Sequence, residues 1–171
     1  MPPQLTSRPR GTQLTRVGRY SSARQIYHVT TATRNRQAHF SDVYRGRCVV
    51  RAMQRQHAES LATTLAFVVM PDHFHWLMQL HRSRELPNCI GNVKSYSARL
   101  FNALVGREGP VWQRGFFDCA VRRECDLIAL SRYIVANPLR AGLVEEIGDY
   151  PLWDAVWLNQ SRSEERSNRR S

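Results

Sequence analysis

The sequence has almost no lysine: Lys94 is the single one, and every other cationic side chain is arginine. It has no run of about 18 apolar residues, so no transmembrane helix is expected. Its opening stretch, MPPQLTSRPRGTQLTRVG, carries charge but lacks the apolar core of a secretory signal. The cysteines Cys48, Cys89, Cys119 and Cys125 are scattered, with no CxxC pair and no zinc-ribbon spacing, and read as free thiols in a reducing cytoplasm. No GxxxxGK(S/T) phosphate loop is present, which excludes a P-loop nucleotide hydrolase. No HExxH helix is present either, which excludes that type of zinc protease.

What is abundant is arginine. The net charge is +11 and the pI about 10.5. Such a balance favours a polyanionic partner. Nucleic acid is the first candidate; an anionic membrane surface is second, but no long basic amphipathic helix supports it. With 171 residues, 42% of them hydrophobic, the chain is expected to form one domain with a real core.

The organisation reads as a flexible basic arm over 1–20, a folded domain over 21–156 and a disordered tail over 157–171. IYHVTTATR (26–34) is β-branched and aromatic, as strands are. SDVYRGRCVVRAMQRQHAES (41–60) opens on a Ser-Asp cap signal and carries a helical stripe of Phe40, Tyr44, Cys48 and Ala52, flanked by Val43 and Met53. LATTLAFVVM (61–70) and HFHWLMQL (73–80) read as a hairpin about the Pro71-Asp72 turn. A second helix over 86–104 presents Leu86, Ile90, Val93, Leu100 and Leu104, with Pro87 in its first turn. A loop-to-strand segment (111–123) and a helix over 125–138 follow. The order βαββαβα predicts an α+β, ferredoxin-like βαββαβ sandwich with an additional C-terminal helix.

Within the hairpin, His73 and His75 stand at i and i+2 and project from one face of the strand, with Phe74 on the other. Two imidazoles so placed can converge on one divalent ion. They can equally face solvent or a satisfied polar contact. In the last helix Tyr133 and Asn137 lie four residues apart on one face. A tyrosine beside a metal suits nucleophilic attack on phosphorus, although a tyrosine at a core boundary has the same spacing.

FVVMPDHFHWLMQL, VWQRGFFDCAVRR and YIVANPLRAGLVEEIGDYPLWDA together resemble the REP-associated tyrosine transposases, a branch of the HUH single-tyrosine transposases. YHVTTATRNRQAHF resembles that family's first strand and following loop, so the likeness runs from about Tyr27 to Trp153. The resemblance implies that His73 and His75 are metal ligands, Tyr133 the nucleophile and Asn137 the third ligand, an amide oxygen suiting a hard ion such as Mg²⁺ or Mn²⁺. It implies a single-stranded DNA endonuclease and strand-transferase acting on palindromic hairpins through a 5′-phosphotyrosine intermediate, and a monomer.

DNA contacts are expected from Arg114, Arg122, Arg123 and Trp112 around the strand leading to the tyrosine helix, and from Arg16 and Arg19 in the arm. Lys94 is expected to meet phosphate as a flexible point charge. The competing readings are an autonomous, dimeric insertion-sequence transposase of the same superfamily, and a non-catalytic ferredoxin-like nucleic-acid-binding module. No RNA-binding strand of the K/R-G-F/Y type is visible to favour the latter.

Overall fold

A computed structural model describes residues 24–81, 85–121 and 125–156, with only the backbone at 125 and 126. The expected basic arm and C-terminal tail lie outside the described residues, as do Arg16, Arg19, Arg122 and Arg123.

Strands β1 (Ile26–Ala32), β2 (Ala62–Met70), β3 (His73–Leu80), β4 (Phe117–Val121) and β5 (Trp153–Ala155) form one antiparallel sheet in the order β4-β1-β3-β2-β5. Helices α1 (Val43–Ala58) and α2 (Leu86–Val105) provide the crossovers, and α3 (Cys125–Val135) and α4 (Asn137–Arg140) follow β4. The first four strands have the expected split βαβ arrangement: β1 and β2 both flank β3. Strand β5 extends the β2 edge and was not expected; three residues are too few to show an alternation.

The central strand β3 divides the molecule. Phe74, Trp76, Met78 and Leu80 point to one face and are completely buried with Val49, Ala52, Ile90 and Val93 of α1 and α2. Burying each such large side chain stabilises by about 1.5–3 kcal/mol. The opposite face carries His73, His75 and Leu77. There Leu77 joins Ala66, Val68 and Met70 of β2 beneath Leu127, Ile134 and Val135 of α3. Helix α3 therefore covers only part of this face, and the histidines lie at the end of β3 where the hairpin turns.

The cap signal is realised: Asp42 accepts from the Arg45 amide at 3.0 Å and starts α1. Tyr44 is not part of the buried stripe, being 71% exposed; Cys48, Val49, Ala52 and Met53 form it instead. In α2 the inward face continues from Val93 to Ser97 and Phe101, because steps of four keep pace with 3.6 residues per turn. Leu104 is left outside. Ser97 is tolerated there because its hydroxyl donates to the Val93 carbonyl and accepts from the Trp112 indole. Gly106, at φ +67°, closes α2 in the left-handed conformation that glycine adopts without penalty.

The helix expected over 125–138 stops at Val135. Pro138 has no N–H to give the Ile134 carbonyl. The Asn137 amide takes that place, donating to Ile134 at 2.9 Å and to Tyr133 at 3.3 Å. Among the described residues no helix is long and apolar enough to cross a membrane.

Candidate active site

The two histidine rings stand 5.1 Å apart, nearly perpendicular. Each is held through Nδ1. His73 Nδ1 lies 2.6 Å from Asp72 Oδ1, and Asp72 Oδ2 lies 3.1 Å from Arg36 Nε. A carboxylate only accepts, so His73 donates to it through Nδ1, and Nε2 is the ring atom left for a metal. His75 Nδ1 lies 3.0 Å from Thr30 Oγ1 and 3.1 Å from His28 Nε2. Both partners come from β1, where the register sets Thr30 directly opposite His75.

Burial first, then the neighbouring His73, His28, Arg140 and Arg36, pushes His75 down to about 3. Burial also lowers His28. His75 is therefore neutral at neutral pH, the form in which imidazole binds a metal. The donor chemistry fits a divalent ion: both imidazoles spend Nδ1 on a supporting partner and keep Nε2, the arrangement metal-binding histidines usually have. Among the described residues no three His, Cys, Asp or Glu side chains are grouped to hold a metal ion by themselves. With its Nδ2 committed to the end of α3, Asn137 has only its amide oxygen to offer a cation.

Tyr133 is 53% exposed on α3. The Arg140 guanidinium lies 3.9 Å from the centre of its ring, and Arg140 Nη2 donates to the Tyr133 carbonyl at 3.0 Å. Tyr133, Asn137 and Arg140 thus share one stripe at i, i+4 and i+7, carried across the break at Ala136. No hydrogen bond joins Tyr133 or Asn137 to the histidines among the described residues; the Arg140 charge is one of those that lower His75. The other described tyrosines differ. Tyr27 is buried, Tyr44 stands on α1, and Tyr96 lies under Arg55 and Arg99. Tyr150 gives its proton to the Val69 carbonyl at 2.6 Å, and burial pushes it up to about 12.

A family model described as "Transposase IS200 like" matches residues 21–137, more than half of the chain, and spans both histidines, Tyr133 and Asn137. The chain belongs to this IS200-like transposase family.

The resemblance to REP-associated tyrosine transposases is also borne out. A Haemophilus influenzae protein assigned as a REP-associated tyrosine transposase is 33% identical over 98 residues, covering 52% of this chain and 56% of that protein. This chain thus spans little more than half the length of that curated relative. A REP-associated tyrosine transposase solved bound to a REP hairpin superposes with a TM-score of 0.67 at 22% identity, with 82% of each chain covered. That likeness is one of fold.

In this member of the IS200-like family two expected DNA contacts have other occupations. Trp112 is not available to stack on a base. It is 7% exposed, stacks on Phe40 at 5.0 Å, meets Phe74 edge-on and donates to Ser97. Lys94 donates to the carbonyls of Gln113 and Gly115 at 2.6 and 3.0 Å, tying α2 to the loop before β4. Arg114 stands exposed in that loop. Sequence reasoning missed Asp72, Arg36, His28, Thr30 and Arg140. Asp72 was adjacent to the histidine pair and His28 and Thr30 shared a strand face, but only the β1–β3 register brings the latter two to His75.

Proposed function

We propose that this transposase nicks and rejoins single-stranded DNA at palindromic hairpins, using Tyr133 as nucleophile and a divalent ion, Mg²⁺ or Mn²⁺, held by His73, His75 and Asn137. The observation that carries the reading is the histidine pair, with both Nδ1 atoms engaged, on the sheet face that also seats the tyrosine helix. When bound, such an ion supplies Lewis-acid stabilisation of phosphate charge.

The chain's own residues do the rest. Asp72, Thr30 and His28 orient the imidazoles. The Tyr133 oxygen attacks phosphorus, an Oη–P bond forms and the P–O3′ bond breaks. The phenol proton leaves and the 3′-oxygen gains one, giving a 5′-phosphotyrosine and a free 3′-OH. One phosphodiester-type ester replaces another, so no nucleotide is consumed, and rejoining is the reverse reaction. The net charge of +11 suits a phosphate backbone as partner, with Arg114 a candidate contact. The hairpin as substrate is suggested by the structural relative solved on one. The seating of α3 on its own chain's β2, through Ile134 and Val135 against Ala66 and Val68, supports action as a monomer.

The test is Tyr133→Phe, which removes one oxygen and almost no volume. Hairpin DNA from the source genome is incubated with Mn²⁺ and resolved on a denaturing gel. The wild-type chain should give a covalent protein–DNA band, absent with EDTA, and the variant should bind the hairpin but give none. A persisting adduct in Tyr133→Phe, or its mapping to another tyrosine, refutes the mechanism and leaves a DNA-binding protein.

A further inference from the structure

We propose that Arg140 is a second catalytic residue of this site, a guanidinium that holds the non-bridging oxygens of the scissile phosphate while Tyr133 attacks. The inference rests on the nucleophile reading of Tyr133. Its geometry is specific to this side chain. Arg140 covers the Tyr133 ring at 3.9 Å and is anchored by Nη2 to the Tyr133 carbonyl. It is placed by the same stripe that carries Asn137.

Its donors are also uncommitted in a useful way. Arg36, Arg45 and Arg55 are each spent on a carboxylate, Asp72, Asp42 and Glu59 respectively. Arg140 is solvent-exposed, and among the described residues it has no carboxylate partner and one side-chain hydrogen bond, through Nη2. A guanidinium has five N–H donors in a planar fork, and that fork matches two oxygens of one phosphate. An aromatic ring beneath it fixes the plane of the fork without consuming a donor. A phosphate in reach of the Tyr133 oxygen on one side and the histidines on the other would lie beside Arg140.

The chemistry needs such a cation. As the Oη–P bond forms and the P–O3′ bond breaks, the phosphorus passes through a five-coordinate arrangement in which negative charge gathers on the non-bridging oxygens. The phenol proton is released to solvent and the leaving 3′-oxygen is protonated, so the diester has the same net charge before and after. Only in between does it carry the excess that Arg140 stabilises.

The alternative occupation for Arg140 is purely structural, as a cap on the α3 carbonyls, and a substrate change separates the two. The wild-type full chain, Arg140→Ala, Arg140→Lys and Tyr133→Phe are compared on a hairpin oligonucleotide whose cleavage position has been mapped with wild type. One version carries the natural diester there; the other carries a methylphosphonate, in which one charged oxygen is replaced by a neutral methyl group. On the diester, Arg140→Ala should form adduct roughly 100-fold more slowly at saturating DNA, the usual cost of losing one charge-stabilising donor, with Arg140→Lys in between. On the methylphosphonate the gap between wild type and Arg140→Ala should close to within about tenfold, since less charge then develops.

An equal loss on both substrates, or no loss on the diester, overturns the proposal. Should Arg140→Ala prove unfolded by circular dichroism, the Arg140→Lys comparison decides by the same criterion. The two readings fail separately. Adduct in Tyr133→Phe removes the nucleophile assignment. No adduct in Tyr133→Phe, with an Arg140 defect that ignores the methyl substitution, removes Arg140 alone.

Discussion

Mild acid should destabilise this protein, and His75 is the group through which the effect can be isolated. In the native chain burial and the neighbouring His73, His28, Arg140 and Arg36 keep His75 down at about 3. In the unfolded chain it titrates at its ordinary 6.5. Between those values the unfolded state binds one proton more than the native state, so stability falls as pH falls. From pH 7.0 to 5.0 the loss through this one side chain is about 2 kcal/mol, from RT times the logarithm of the change in the unfolded-state proton partition function. His28, also lowered by burial, adds a loss of the same sign. The assay is urea unfolding followed by circular dichroism at both pH values, in EDTA so that no ion competes with the proton. His75→Gln is the reference, a neutral side chain that cannot titrate. The wild-type chain should lose about 2 kcal/mol more than His75→Gln over this interval. Equal losses in the two proteins would show that His75 takes up its proton in the native state, and would undo the argument that it is held neutral for a metal.

Two further substitutions probe the frame around the site. Asp72→Asn converts the strict acceptor of the His73 Nδ1 proton into a group that can also donate. Mn²⁺ affinity, followed by electron paramagnetic resonance without DNA, should drop roughly 10- to 100-fold, as for other partners that orient metal-binding histidines; unchanged affinity would release Asp72 from that role. Gly46→Val on α1 drives a side chain into Leu152, whose methyl group already occupies the space of a Cβ. It should cost about 1–3 kcal/mol in urea unfolding, the usual penalty for overpacking, and a neutral result would mean that the segment carrying β5 can move off α1 freely.

The parts of the fold that were legible are those written in a short period. Alternation in HFHWLMQL put Phe74 and Trp76 on one face and His73 and His75 on the other without reference to any neighbour. Spacing of three and four found α1 and α2, yet misplaced Tyr44 and Leu104, because several helical stripes compete and tertiary packing chooses among them. Trp112 was misread for a related reason. An aromatic beside an exposed arginine in a loop looks like a stacking platform for a base, and nothing local reveals that Phe40 stacks on it and Phe74 meets it edge-on. The rarity of Lys94 was a signal, but the ammonium answers to two carbonyls, and carbonyl positions belong to the loop's fold.

The same distinction explains why the site's proposed ligands and nucleophile could be named from sequence while their supports could not. A ligand pair on one strand, or a tyrosine and an amide one turn apart, is fixed by the geometry of a single element. A support is a partner across elements. His28 and Thr30 reach His75 because β1 pairs with β3 in a register that aligns Thr30 with His75 and His28 with Leu77. A slip of one residue would turn both side chains to the other face and leave the His75 ring without them. Arg140 reaches the Tyr133 ring because α4 follows α3 directly after Ala136, with the Asn137 side-chain amide in place of one backbone bond. The proline that ends α3 thus makes Asn137 donate through nitrogen and leaves its oxygen as the atom available to a cation. A change at Pro138 would restore the backbone donor, release that amide, and alter the site without touching a histidine or the tyrosine.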